Sequence, residues 1–234
     1  MSKVNVLIGI SGGQLARYSV FYDSILHLAT PQGTALVQAK GANIAENRNG
    51  IAEEALKIGA EWVFYVDDDQ VFAPDTLLQL LKHDKDVVSG LYVSREAPFI
   101  PHIYDKEDER EWCFPRLLKP FDGGLTGPLK ATGAGCLLVR TKVFEKMEKP
   151  YWRLGQITKD GWGDDLNFCH RVREAGFEIW ADLNVVVGHQ FNATLWPKRQ
   201  PDGTWTTVIL QGNQQQIAEF PAAQEKSSLI QVNR

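Results

Sequence analysis

Short apolar runs and amphipathic stripes alternate along the first part of the chain. Val4 to Ile10 is unbroken enough to predict a strand, and Tyr18 to Leu28 predicts a helix with Val20 or Phe21, Ile25 and Leu28 on one side. Ala35 to Ala39 predicts a second short strand. Asn43 to Ile58 predicts a clearer helix, because Ile44, Ile51, Ala55 and Ile58 recur at helical spacing and Gly59 follows where a C′ glycine belongs. The next stretch, E-W-V-F-Y-V-D-D-D-Q-V-F, carries an unbroken apolar run from Trp62 to Val66 that stops at three aspartates. A run of that kind predicts a strand buried on both faces.

The rhythm continues downstream. Pro74-Asp75 opens a short helix to Lys82 with Leu77, Leu78 and Leu81 turned inward, and Asp86 to Val93 predicts a strand leading into Ser94-Arg95. From Glu96 to Lys130 prolines, an acidic cluster and scattered aromatics break the pattern, which predicts loops and hairpins on one rim of a sheet. Ala131 to Arg140 is glycine-rich at its start and strand-like at its end, and Thr141 caps a helix to Met147. Asp164-Asp165 opens a helix to Ala175, with Leu166, Cys169 and Val172 inside and Gly176 as its C′ residue. Phe177 to Trp180 and Val185 to Val187 predict two more strands, the second ending in Gly188-His189. Asp202-Gly203 marks a hairpin with Thr206 to Leu210 as its returning strand. The whole predicts an α/β fold with a mainly parallel central sheet flanked by helices, plus a small antiparallel excursion. Ligands of such sheets sit beyond the carboxyl ends of the strands.

Composition narrows the class. The 234 residues suffice for one large domain, and 44% hydrophobic with 23% charged residues is the balance of an ordinary globular protein. A net charge of −4 gives no general drive toward nucleic acid or anionic membranes. No apolar stretch is long enough for a membrane span, and the first ten residues are too short an apolar run for a signal peptide. Three widely spaced cysteines form no zinc or redox pattern, so a cytoplasmic protein with reduced thiols is expected, in host cytoplasm if it is phage-encoded.

Several residues stand out against this background. Asp67, Asp68 and Asp69 at a strand end repel one another; they make either a polar turn or a site for a divalent cation carrying a phosphorylated ligand. Arg48 falls on the apolar stripe of its helix, and an unpaired buried charge is expensive. Its partner is either an internal carboxylate or a bound phosphate or base. Ser11-Gly12-Gly13 is a loop that could approach a ligand closely, although it lacks a phosphate-loop spacing. Gly133 and Gly135 imply a bulge or a close approach by a ligand. One of the acids Asp164 and Asp165 serves the helix N-terminus, and Asp165, in register with Cys169 and Val172, points inward. His189 at the end of an apolar strand is either structural or a ligand.

Taken in order, the strand-D-x-D, the Gly-rich strand, G-W-G-D-D-L-N-F-C-H-R-V-R-E-A-G-F-E-I-W and the strand ending in Gly-His resemble the GT-A glycosyltransferases, notably the family 2-like and Anp1-like groups. The resemblance covers residues 4 to 190 and is to small bacterial and phage members. It implies a Rossmann-like GT-A sandwich at 1–210, with a nucleotide-binding half at 1–95 and an acceptor-binding half at 96–190. A polar tail or arm at 211–234 would follow, with oligomer contact as one of its possible uses. It implies Mn²⁺ or Mg²⁺ on Asp69 and His189, with Asp67 on the ribose or sharing the metal and Asp68 between them. A nucleotide-sugar donor, UDP-linked by default, would lie near Arg48, Asn49, Ser11, Gly133, Gly135 and Trp162. Asp165 would be the general base of an inverting transfer, next to Asp164.

Two departures from the family pattern are visible: Asp stands at 164 in place of the usual Glu, and Asn167 replaces a frequent further acid. The chain lacks the Q-x-x-R-W signature of processive relatives, so transfer of one sugar is expected. The acceptor hydroxyl could belong to a glycan, a lipid-linked sugar, a protein or a modified DNA base. The competing expectations are a sugar-phosphate nucleotidyltransferase and a non-catalytic carbohydrate-binding protein of the same fold.

Overall fold

The computed structural model describes residues 4–12, 19–41, 43–95, 99–106, 114–116, 118–155, 163–191, 193–211 and 214–219. The alternating apolar pattern becomes β1 (Val6–Ser11), α1 (Ser19–His27), β2 (Thr34–Ala39), α2 (Ile44–Ile58) and β3 (Trp62–Asp67). These are followed by β4 (Gln70–Val71), α3 (Thr76–Lys82) and β5 (Val87–Leu91). The excursion holds β6 (Ile103–Lys106), β7 (Phe114–Pro115), β8 (Leu125–Leu129) and β9 (Ala131–Thr132). The chain then forms β10 (Cys136–Arg140), α4 (Lys142–Glu145), α5 (Asp164–Glu174), β11 (Ile179–Val186), β12 (Gly188–Phe191), β13 (Ala193–Arg199), β14 (Trp205–Gln211) and β15 (Gln214–Glu219). Among the described residues no helix is long and apolar enough to cross a membrane.

The central sheet has seven strands in the order β2-β1-β3-β10-β5-β11-β8. It is mixed: β2, β1 and β3 pair in parallel, as do β5 and β11, whereas β10 runs against β3 and β5, and β8 against β11. The reversal of β10 has a simple origin. The chain enters β10 at the carboxyl end of β3 and β5 and leaves it at their amino end, so β10 runs against both. Cys136 therefore pairs with Val66, and Gly133 to Gly135 lie at the same sheet end as the three aspartates.

Side chains alternate off β3 into two cores. Val63 and Tyr65 join Ile51, Ala52 and Ala55 of α2 and Phe168 and Val172 of α5 on one face. Trp62, Phe64 and Val66 join Phe21 of α1 and Leu77 and Leu80 of α3 on the other. Burial on both faces explains the unbroken apolar run. The ends of α2 follow their signals: Asn43 accepts from the Glu46 amide at 2.9 Å, and Gly59 closes the helix at φ 68°. Thr141 precedes α4 without a side-chain capping bond.

Two expected elements differ. In place of two strands at 177–180 and 185–187 there is one, β11 (Ile179–Val186), which runs through Asp182. A carboxylate is tolerated there because Nε2 of His83 lies 2.6 Å from one oxygen and the Asn184 amide donates to the other at 2.8 Å. The start of the polar stretch at 211–234 is also a strand. β15 forms the edge of a second, five-stranded sheet, β15-β14-β13-β12-β4, which contains the expected hairpin and reaches back to the residues just after Asp69. β7, β6 and β9 form a third, small sheet.

Helix α2 packs so closely on β1 that a Cβ at Gly9 would be driven into the side chain of Ile51. Gly9→Ala should cost about 1–3 kcal/mol in urea unfolding, the usual range for overpacking, and adding Ile51→Ala should recover part of it relative to Ile51→Ala alone. Unchanged stability of Gly9→Ala would contradict the close packing.

Candidate active site

The Arg48 side chain is only 4% exposed, on the face of α2 turned to the sheet. Its Nη2 donates to both carboxylate oxygens of Asp67 at 2.9 and 2.8 Å, and its Nη1 donates to Asp164 Oδ2 at 2.7 Å. The end of β3 and the start of α5 are thus tied to one guanidinium, and the partner of Arg48 in this structure is a pair of internal carboxylates. Burial works against the charged guanidinium, but Asp67, Asp164 and Asp165 outweigh it and raise its pKa. The group lies 5.1 Å from the ring centre of Trp152, which in turn stacks on Phe168 at 3.8 Å. Asn49 secures that arrangement. Its amide donates to the carbonyls of Ala45 and Trp152 at 2.9 and 2.8 Å, and its Oδ1 accepts from the Trp152 amide at 3.0 Å.

Asp164 is buried in its contact with Arg48, whereas Asp165 is half-buried and accepts from the Leu166 amide at 2.8 Å. Gly163 leaves the space that Asp165 occupies. Burial pushes the Asp165 carboxyl up to about 6, with Asp164 and Asp67 adding to the rise while Arg48 and the Leu166 N–H oppose it. A carboxylate in that range is ionised at neutral pH and still basic enough to accept a proton, which suits a general base.

Asp69 lies in a different environment. His189 Nε2 stands 3.5 Å and Arg95 Nη1 2.9 Å from its Oδ2. Burial alone would raise this carboxyl, but the hydrogen bond and charge of His189 and the charge of Arg95 prevail and hold it below its ordinary value. His189 Nδ1 is 2.8 Å from the carbonyl of Val93, an acceptor only, so Nδ1 carries a proton. The other ring nitrogen, Nε2, faces Asp69. This is the orientation that a backbone carbonyl imposes on a metal-ligating histidine. Asp69 and His189 meet because β12 pairs with β4, setting His189 opposite Gln70, while the Gln190 amide donates to the Asp69 carbonyl at 2.7 Å.

The other expected residues are placed as follows. Ser11 pairs in register with Asp67, and its buried hydroxyl has no hydrogen-bond partner among the described residues. Asp68 is half-buried between its neighbours. Gly133 and Gly135 are closely approached by protein: a Cβ at the first would strike the Tyr92 hydroxyl, and one at the second would crowd Gln70 and Tyr92. The Tyr92 hydroxyl accepts from the Gly135 amide at 3.0 Å. Trp162 lies outside the described residues. Among those residues no group of three or more His, Cys, Asp or Glu side chains is arranged to hold a metal, and both oxygens of Asp67 are engaged by Arg48. Asp69 and His189 form a two-donor set that a cation could complete only with oxygens from a ligand or water.

Sequence reasoning passed over Arg95 and His102. Arg95 comes soon after the apolar strand β5, close to the signal that marked the aspartates and His189. His102 stacks on Tyr92 at 4.8 Å, with its ring centre 6.4 Å from that of His189. Burial, with the charges of His189 and Arg95 adding to it, lowers its pKa to about 4 and keeps it neutral. Nothing in its local sequence distinguishes it from a loop residue.

No protein-family model matches the chain, and no curated protein matches it in sequence. Among solved structures it is similar to A197 from STIV, at a TM-score of 0.57 and 16% identity, over 90% of this chain and 95% of that one. It also overlaps TarS 1–349 from S. aureus in complex with UDP-GlcNAc, at a TM-score of 0.48 and 11% identity, over 76% of this chain and 55% of that one. The chain thus spans about half the length of that TarS fragment. The likeness to A197 shows the fold, a mixed α/β architecture, and nothing of the chemistry.

Removing Arg48 leaves the buried Asp164 and the half-buried Asp67 without their cation. Arg48→Ala should destabilise the protein by about 3–5 kcal/mol in urea unfolding, and Asp67→Asn with Asp164→Asn in the same background should restore part of the loss. An Arg48→Ala variant of wild-type stability would contradict the arrangement.

Proposed function

We propose that this protein is a divalent-cation-dependent glycosyltransferase that moves one sugar from a nucleotide-sugar donor, UDP-linked by default, to an acceptor hydroxyl with inversion. The observation that carries this reading is the meeting of Asp69 with His189 Nε2, at the sheet end where Arg48 also gathers Asp67 and Asp164 beside Asp165.

In this reading Asp69 and His189 would hold Mn²⁺ or Mg²⁺. The bound cation supplies positive charge to the diphosphate that leaves. Asp67 and Asp164 are occupied by Arg48 and act by position, holding the base helix against the end of β3. Asp165 removes the proton from the acceptor hydroxyl as that oxygen attacks the anomeric carbon and the bond to the diphosphate breaks. Ser11, whose buried hydroxyl beside Asp67 has no hydrogen-bond partner among the described residues, would meet the nucleoside. The order of these residues in the chain, which resembles that of GT-A enzymes, supports the same assignment.

Transfer from a UDP-sugar, followed by release of nucleoside diphosphate, should require a divalent cation; release of pyrophosphate would instead indicate a nucleotidyltransferase. Asp165→Asn should lower kcat by about 10²–10⁴-fold and leave nucleotide binding intact, and a variant retaining wild-type transfer would overturn the base assignment. Asp69→Ala should abolish transfer and weaken cation-dependent UDP binding in calorimetry.

The base must be deprotonated to act. In the wild type kcat/KM should therefore hold above pH 7 and fall about tenfold per unit as pH drops below the Asp165 value of about 6. An acid limb near 4 would mean that the base is an unperturbed carboxylate elsewhere.

A further inference from the structure

The mechanism above makes no use of the ion pair between Arg95 and Asp69. Arg95 Nη1 lies 2.9 Å from Asp69 Oδ2, the same oxygen that faces His189 Nε2 at 3.5 Å. The other oxygen, Oδ1, is turned toward Gln70 Nε2 at 3.5 Å. Oδ2 is therefore the oxygen between the two donors of the proposed cation site, and the N–H of Arg95 already uses it.

A divalent cation and a guanidinium cannot share one carboxylate oxygen without strong repulsion at such short range. His189 is fixed by Val93 and by its place in β12, so it cannot move aside. Arg95 can. Its side chain is 42% exposed, unlike the buried Arg48, and its head is held by Asp69 rather than enclosed. Once displaced from Asp69, the guanidinium needs an anion close at hand. The chemistry that fits is a phosphate oxygen, because the planar fork of Arg matches phosphate geometry and the diphosphate must lie against the same cation.

We propose that Arg95 exchanges counter-ions: it pairs with Asp69 in the ligand-free protein, opposing entry of a divalent cation alone, and transfers to the diphosphate of the donor when cation and nucleotide arrive together. Cation and nucleoside diphosphate then bind cooperatively, each making room for the other. The inference rests on the metal-dependent reading above and adds a phosphate ligand to it.

The test is calorimetry on wild type, Arg95→Gln and Asp69→Ala with two probes, Mn²⁺ alone and UDP at saturating Mn²⁺. Arg95→Gln should bind Mn²⁺ alone about tenfold more tightly and UDP with Mn²⁺ about tenfold more weakly. These opposite signs would not come from a merely structural role, which would weaken both or neither. Its thermal midpoint should match that of the wild type, as expected for a half-exposed side chain. If Mn²⁺ and UDP bind wild type and Arg95→Gln equally well, and Mn²⁺ is lost from Asp69→Ala, the exchange is overturned and the metal site stands. If wild type binds no Mn²⁺ even with UDP present, the metal-dependent reading falls and the exchange falls with it.

Discussion

A guanidinium buried against a sheet is tolerable only if its charge is matched, and Arg48 is matched twice. The carboxylates of Asp67 and Asp164 come from elements far apart in sequence, yet they meet on two nitrogens of one side chain. Such a cluster is weak evidence of stability, because three well-packed apolar residues could do as well. Its use is geometric. The end of β3 and the first turn of α5 cannot drift independently while both are bonded to a planar group stacked on Trp152, and Trp152 is itself held by Asn49.

From that constraint follows a division of labour among acids of the same kind. Asp67 and Asp164 are spent on Arg48. Asp165, next along the helix, shares the burial but makes no hydrogen bond to the guanidinium, and its carboxyl rises to about 6. Asp69, two residues after Asp67, meets His189 and Arg95 and moves below its ordinary value. Carboxyls driven in opposite directions within one site are suited to different tasks, one to take up a proton and one to stay ionised beside a cation.

The strand-helix alternation was legible because local pattern dictates it: the period of α2, the C′ position of Gly59 and the wholly apolar β3 are all short-range signals. Arg48 was legible as an anomaly on an apolar stripe, though the stripe could not say whether its partner was internal. The direction of β10 was not legible, since it depends on where the excursion emerges rather than on the residues of the strand. The single strand β11 was not legible across Asp182, because the side chain that satisfies its carboxylate, His83, comes from the end of α3. Gly133 and Gly135 were legible as points of close approach, but whether ligand or protein fills the space is a tertiary matter. Here Tyr92 and Gln70 fill it.

The placement of His189 shows most clearly what local pattern cannot contain. Beside Asp69 it depends on β4, a strand of two residues, being paired by β12 in one register. A slip of one residue would turn His189 to the other side of the second sheet and bring Gly188 or Gln190 to its place. Two contacts oppose that slip. The Gln190 amide is bonded to the Asp69 carbonyl, and Trp196 and Thr194 press against Gly188 where a side chain would not fit. The glycine and histidine at the end of the apolar run therefore act together: Gly188 lets the antiparallel sheet close tightly, and that closure holds the imidazole against the aspartate.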